Sequence, residues 1–284
     1  MNVEFYLVDL SSRFPRNRKD YYLSYSGGKD SHFLYWFIKE YLHDTEIEIV
    51  AVNTYMEHPD ISKRMYKYAD TVLLPKMKPF EIKEKYGSPC FSKIQDELIE
   101  RYQRGIRSRH IMERVNGKAF VDRDGKEHKT YFSLNKTARE LLLSGKLHRV
   151  SPICCKILKK DTLHAYEKQT GKKAILGVRR DEGHLRKNQY RSCFTKGGKF
   201  TPLYDLSDKL LGEIYERYDI EIPEIYKQIN RTGCMGCPYG SHKGNTRREL
   251  ELLTPAQVRF VTELFGESYK VLGIDTRNIQ TKLF

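Results

Sequence analysis

Apolar residues fall along this chain in two alternating rhythms. Tyr21–Tyr25 (YYLSY) is a short aromatic and apolar run halted by a glycine pair, which predicts a buried strand. Beyond Ser31, the residues Phe33, Leu34, Trp36, Phe37 and Leu42 recur at helical spacing. Ile47–Asn53 (IEIVAVN) predicts a second strand, Pro59–Tyr68 a helix, and Thr71–Leu74 a third strand stopped by Pro75. Lys173–Val178 (KAILGV) predicts a further strand, ending in Arg179 and Arg180. Strands alternating with helices imply an α/β fold built on a mainly parallel sheet.

One stretch departs from that rhythm. Arg101, Arg104, Arg107, Arg109, Arg114 and Lys118 crowd together, followed by the turn-like Asp122–Gly125 and a helical Asn135–Ser144. This predicts a basic helical insertion with a small hairpin, at about residues 92–148. It reads either as a solvated amphipathic face or as a surface for a polyanion. From about Thr246 the pattern is helical again. The resulting division is an N-terminal extension (1–19), a nucleotide-binding domain (20–210) and a helical C-terminal part (211–284).

Composition adds a bias rather than an answer. The chain has 284 residues, and 51 basic against 37 acidic residues give a formal charge of +14. Such an excess favours nucleic acid, tRNA or DNA, as a partner; an anionic small substrate is the alternative. No stretch approaches the roughly 18–20 apolar residues of a membrane span, and early Glu4 and Asp9 argue against a signal peptide. A cytoplasmic setting without membrane attachment is expected. There the six cysteines serve as ligands or nucleophiles more readily than as disulfides.

Two motifs carry the chemistry. Ser26-Gly27-Gly28-Lys29-Asp30-Ser31 lies between a strand and a helix, where glycines let backbone N–H groups approach a phosphate. Ser26 and Ser31 can donate hydrogen bonds, Lys29 supplies a point charge, and Asp30 can cap the helix or help hold Mg²⁺. It is not a Walker A loop, because GxxxxGK[ST] is absent. The second motif is Cys154-Cys155 answered by Cys234-Met-Gly-Cys237. Adjacent cysteines can ligate different irons of one cluster, whereas zinc more often takes two spaced CxxC knuckles. The spacing therefore favours an iron–sulfur cluster over zinc. Cys90 and Cys193 stand apart and read as ordinary cysteines sooner than as catalysts.

The Ser26–Ser31 loop resembles that of the N-type ATP pyrophosphatases, which cleave ATP between its α and β phosphates. The paired cysteines are similar to the 4Fe–4S pattern of adenylylsulfate reductases, within the phosphoadenosine phosphosulfate reductase family. Asn53–Pro59 (NTYMEHP) resembles that family's acidic turn after a strand. Gly177–Arg186 (GVRRDEGHLR) resembles its GxRxxES-x-x-R segment, with Gly183 where serine is usual. Phe200–Asp208 (FTPLYDLSD) and Ile222–Tyr226 before Gly233-Cys234 are similar to two further family stretches. The likeness spans about residues 20–240.

That resemblance implies an adenine nucleotide alpha hydrolase-like, Rossmann-like fold binding adenine nucleotide, ATP and Mg²⁺ at Ser26–Ser31. Arg179, Arg180 and Arg186 would neutralise pyrophosphate or substrate charge, with Lys29, Asp30, Arg179 and Arg186 acting in catalysis. Cys154, Cys155, Cys234 and Cys237 would hold the cluster.

Two departures matter. The reductases carry a nucleophilic cysteine in an ECG(L/I)H-like tail, but no cysteine follows Cys237 here. They also often have a degraded phosphate loop, whereas this one is intact. The same fold with an intact loop and a cluster also resembles the ATPase of bacterial DNA phosphorothioation and the cluster-bearing tRNA thiolases. The implied activity is adenylation coupled to sulfur transfer onto nucleic acid, by thiolation or phosphorothioation, with a sulfur- or electron-donor protein as partner. The rivals are a sulfonucleotide (APS or PAPS) reductase, an oxidoreductase, and a redox-sensing nucleotide-binding module.

Overall fold

The computed structural model describes residues 2–117, 120–128, 132–180, 192–229 and 233–276. The chain forms two units, Met1–Pro75 with Lys159–Thr232, and Lys76–Leu158 with Gly233–Phe284.

The first unit is built on a four-stranded parallel sheet in the order β3-β2-β1-β6. Its strands are β1 (Tyr21–Tyr25), β2 (Glu48–Val52), β3 (Thr71–Leu73) and β6 (Lys173–Ile175). The register sets Tyr22 beside Glu48 on one side and Ala174 on the other. Tyr22, Leu23, Ile49, Val50 and Ala51 are fully buried, as strands covered on both faces require. The parallel α/β class read from the pattern is the one observed. Helices α2 (Lys29–Trp36) and α3 (Pro59–Tyr68) cross between the first three strands. The chain then returns to the other side of β1 as β6, after α8 (Asp161–Thr170).

Three local differences from the sequence reading have physical causes. The helix after the loop changes at Phe37–Tyr41 into a π turn, where Leu42 N–H reaches back to the Phe37 carbonyl. Strand β6 stops at Ile175, and its edge away from β1 makes a single parallel bridge to Phe200, through Phe200 N–H to the Ala174 carbonyl and Leu176 N–H to the Phe200 carbonyl. Residues 1–19 carry a helix, α1 (Val3–Arg13), capped by Asn2 and buried along Val3, Tyr6, Leu7 and Leu10.

The second unit is mainly helical, comprising α4 (Pro79–Tyr86), α5 (Lys93–Gln103), α6 (Arg109–Asn116) and α7 (Lys136–Leu143). A two-stranded hairpin, β4 (Phe120–Val121) with β5 (Glu127–His128), follows α6 as expected. Its core gathers Cys90, Phe91, Leu98, Ile99, Ile111, Val115, Ala138, Leu142 and Val150. Two C-terminal helices belong to this unit, labelled α10 (Asn245–Glu251) and α11 (Pro255–Val271) after α9 (Asp208–Arg217) of the first. No helix among the described residues is long and apolar enough to cross a membrane.

His32 lies buried in the first unit, with its Nδ1 3.0 Å from the Tyr25 hydroxyl and its ring among Tyr25, Tyr35 and Tyr68. Desolvation, aided by the nearby Arg64 charge, pushes its pKa down to about 3. The folded state therefore refuses a proton that the unfolded chain accepts near pH 6.5. The His32 contribution is whole above pH 6.5 and is lost as pH falls toward 3, at about 1.4 kcal/mol per pH unit. Thermal melts from pH 7.5 to 4 should show this slope, and His32→Gln should flatten it. An unchanged slope in the variant would acquit His32.

Candidate functional site

In the first unit, four sequence segments converge on the carboxyl end of the sheet. The strand order reverses between β1 and β6, and open α/β sheets bind ligands outside such a switch point. The loop after β1 takes a left-handed turn at Gly27 (φ 72°), where a Cβ would press on Ile61 at 2.9 Å. Gly28 then caps α2, leaving the first N–H groups of that helix at the loop. The loop is closed by its serines. Ser31 Oγ accepts from Ser26 N–H (3.1 Å), lies 2.9 Å from Ser26 Oγ, and donates to the Gly28 carbonyl (3.0 Å). Ser26 and Ser31 thus shape the loop, and Ser31 is buried.

The segment after β6 packs directly on this turn. A Cβ at Gly177 would stand 3.0 Å from the backbone of Asp30 and Ser31, so only glycine fits that approach. Arg179, 1% exposed, reaches Asp30 with Nε at 2.7 Å and Asp208 with Nη2 at 2.8 Å. Burial works against the Arg179 charge, but the two carboxylates hold its pKa above the ordinary value. Asp208 feels some desolvation, outweighed by Arg179 and Lys29, so its carboxyl sits below the usual range.

Lys29 Nζ is 3.9 Å from Asp208 and half-exposed at the mouth, and Tyr215 donates to the Lys29 carbonyl at 2.6 Å. Arg180 is exposed. Arg186 lies outside the described residues. Asp208, Tyr215 and Tyr226, whose hydroxyl stands 2.9 Å from where a Gly28 Cβ would be, were not singled out as site residues. Asp208 was legible as the last acid of the FTPLYDLSD stretch. Tyr226 was legible as the last residue of the Ile222–Tyr226 stretch, whereas Tyr215 had no local signal.

Beside the loop, the turn after β2 is held by a buried carboxylate. Glu57 accepts from Thr54 N–H (2.9 Å) and Thr54 Oγ1 (2.7 Å), with Lys159 at 3.9 Å. This is the acidic turn expected from Asn53–Pro59. The geometry suits a polyphosphate: backbone donors at a helix start, one accessible cation, and acidic groups alongside that could attract a divalent ion.

The second unit carries the four cysteines. Cys154 and Cys155 are helical, just before the π turn Lys156–Lys160. Cys155, burial and then Cys237 and Cys234 all push the Cys154 thiol well above its ordinary pKa, so the four share one neighbourhood. Burial also raises Cys237 strongly.

The CxxC turn is bracketed from every side. Gly236 N–H donates to Glu249 (3.1 Å), Tyr269 donates to the Gly236 carbonyl, and Thr246 Oγ1 donates to the Cys237 carbonyl (2.8 Å). Gly236 is left-handed (φ 59°), and a Cβ there would meet the Tyr269 hydroxyl at 2.5 Å. Asp96, fully buried, accepts from Cys90 N–H (2.7 Å), Phe91 N–H (3.0 Å) and the Tyr239 hydroxyl (2.8 Å).

Among the described residues no three His, Cys, Asp or Glu side chains are drawn tightly enough to grip a metal ion. Four half-buried thiols in one neighbourhood, two on a helix and two on the braced CxxC turn, fit a cluster by their chemistry. Cys90 is fully buried with its thiol pushed up to about 12 by desolvation, and Cys193 is raised by the same cause. Neither is an activated thiolate.

Comparison with known proteins adds the following. No curated protein matches the sequence. Among solved structures, a phosphoadenylyl-sulfate reductase from Candida auris in complex with phosphate is similar, at 12% identity and TM-score 0.40. The match covers 80% of this chain and 84% of that one. The U34-tRNA thiolase NcsA from Methanococcus maripaludis, with its 4Fe–4S cluster, gives 14% identity and TM-score 0.36 over 99% and 79%. The NMN synthetase from Francisella tularensis gives 13% identity and TM-score 0.36 over 96% of both chains. The model of the phosphoadenosine phosphosulfate reductase domain matches residues 20–239, from the start of β1 to the turn after the last cysteine. The loop, the Arg179 segment and all four cysteines fall inside those limits, and the chain belongs to the phosphoadenosine phosphosulfate reductase domain family.

Proposed function

We propose that this protein is an ATP pyrophosphatase-type sulfurtransferase that adenylates an oxygen of its substrate and supports replacement of that oxygen by sulfur. The observation that carries the reading is the intact Ser26–Ser31 loop at the start of α2, beside the sheet's switch point. The substrate oxygen attacks the α-phosphorus of ATP, the bond to the bridging oxygen breaks, and pyrophosphate leaves. A sulfur nucleophile then attacks the activated centre, and AMP departs with the original oxygen.

The chain's own groups have defined tasks in this scheme. Backbone N–H groups of the loop and Lys29 hold the β and γ phosphates and bear the charge growing on pyrophosphate. Lys29 would leave Asp208 for the phosphates, and Asp208 would stay held by Arg179. Arg179 acts by positioning, since it grips Asp30 and Asp208 from a buried site. Asp30 or Glu57 would face Mg²⁺, and Arg180 and Arg186 are candidates for the outgoing pyrophosphate. Cys154, Cys155, Cys234 and Cys237 would hold a 4Fe–4S cluster, which supplies electron transfer when bound. With Cys90 and Cys193 unactivated, the sulfur comes from a donor protein.

Sulfonucleotide reduction is the second reading. It needs a thiolate to attack the sulfate sulfur, and the raised thiols of Cys90 and Cys193 weigh against it.

For nucleotide binding, Lys29→Ala should weaken ATP by roughly 1.5–3 kcal/mol, the range for a hydrogen bond to a charged group. Calorimetric titration with ATP, APS and PAPS measures this directly. Tighter binding of APS or PAPS, with thiol-dependent sulfite release and no pyrophosphate from ATP, would replace the sulfurtransferase reading by the reductase one.

For the cysteine set, anaerobically purified protein should be brown, with about four irons and four sulfides per chain. Cys234→Ser should bleach it and lower the melting temperature, since metal binding contributes folding energy. A colourless protein with one zinc per chain would refute the cluster.

A further inference from the structure

The basic excess of this chain is concentrated rather than spread. Between Arg101 and Leu158 there are fourteen Lys and Arg residues against five Asp and Glu, an excess of nine out of the chain's fourteen. That stretch lies wholly in the second unit, the one that carries the four cysteines. No acidic residue occurs between Arg101 and Met112.

Within it, the arginines are not equivalent. Arg101 is paired with Glu97 at 2.6 Å and Arg109 with Glu113 at 2.7 Å, so both are already neutralised along their own helices. Arg104 and Arg107 instead sit on the exposed turn joining α5 to α6, with His110 exposed just beyond. The Arg107 guanidinium lies over the Tyr102 ring, 3.6 Å from its centroid, and is tied down by the Tyr102 carbonyl. This makes a flat, cationic platform that costs little further ordering. Gln103 clamps the neighbouring segment, donating to the His148 carbonyl (2.8 Å) and accepting from Val150 N–H (3.0 Å). Exposed Arg149 lies between these two anchored residues, and exposed Lys146 two positions before the first.

Helix α5 links this basic turn to the cysteine turn. Its Asp96 holds Tyr239, two residues past Cys237, while Arg104 closes its other end. At 1.5 Å per residue, the eight positions between them span about 12 Å. The elements that fill a major groove are a helix or a two-stranded β-ribbon, and this surface is neither. It suits a looped single strand, whose phosphates need cations and whose unpaired bases stack on planar side chains.

We infer that the Arg104–His110 turn, with Lys146 and Arg149, is a binding surface for unpaired RNA, and that RNA is the sulfur acceptor. The binding surface stands on its own geometry, whereas the acceptor role rests on the sulfurtransferase reading above.

The test uses the full-length, anaerobically purified protein and fluorescence anisotropy with a labelled RNA stem–loop. The same sequence as single-stranded DNA and a duplex DNA serve as the other arms. The RNA should bind at micromolar Kd or tighter in 100 mM KCl, with a log–log salt slope of about −0.7 per phosphate contacted. Arg104→Ala with Arg107→Ala should weaken binding at least tenfold and reduce that slope by about one to two. Iron content, melting temperature and ATP affinity should not change. Arg107→Lys keeps the charge but removes the plane, so it should fall between wild type and the double variant. Lys29→Ala should leave RNA affinity intact. RNA binding that survives while ATP binding and pyrophosphate release are absent would sink the acceptor role and spare the surface. Millimolar binding, indifference to the double variant, or a preference for duplex DNA would overturn the surface itself.

Discussion

A buried guanidinium organises the first unit. Arg179 leaves the end of β6 and ends between the carboxylates of Asp30 and Asp208, so one charge fixes the starts of α2 and α9 against the sheet. An isolated cation there would cost several kcal/mol, and removing one partner from such a pair typically costs about 3–5 kcal/mol. The loop's glycines, serines and lysine keep their places because that ion pair sets where the helix begins. Asp208 is itself well exposed, so its contact with Lys29 is open to solvent while Arg179 holds it from below. Rigidity below and exposure above meet in the same carboxylate.

The second unit solves a related problem with hydrogen bonds rather than ions. The CxxC turn offers backbone groups that a cluster does not satisfy, and Glu249, Thr246 and Tyr269 from the two C-terminal helices meet three of them. Asp96 does the same for the backbone at Cys90 and Phe91 and adds Tyr239. The cysteines are consequently presented by a frame that does not rely on their own bonds. Such preorganisation fixes the orientation of the cysteine side chains in advance of any ligand.

Most of the sheet was legible because its strands are short, continuously apolar and bounded by glycine, proline or charge. Tyr21–Tyr25 and Pro59–Tyr68 have the bounds the pattern implied. Helix α1 was missed although Val3, Tyr6, Leu7 and Leu10 carry the helical period, since nothing before the first strand suggested a partner for that face. The phosphate loop and the cysteine pairs were visible as motifs because their chemistry is local. Their supports were not. Tyr215, Asp96 and Glu249 act across long stretches of chain, and a lone buried acid or tyrosine has no signature until the fold brings its partner. Charge told only half the story of the arginines, because the pairing of Arg101 and Arg109 with acids four positions away decides which cations face outward.

The sheet order has a consequence for how the protein is made. Strand β1 pairs with β2 on one side and with β6 on the other, and β6 emerges from the ribosome roughly 150 residues after β1. At about 5–20 residues per second, the second edge of β1 waits roughly 7–30 s for its neighbour. During that interval Tyr21–Tyr25 is an apolar edge strand with unsatisfied backbone groups, a template for association with other chains. The intervening residues, 76–158, are the ones that build most of the other unit, with the cysteine pair at their end. Synthesis of this protein therefore favours shielding of the nascent β1 edge, by a chaperone or by slow concentration-limited encounter, until the last strand arrives.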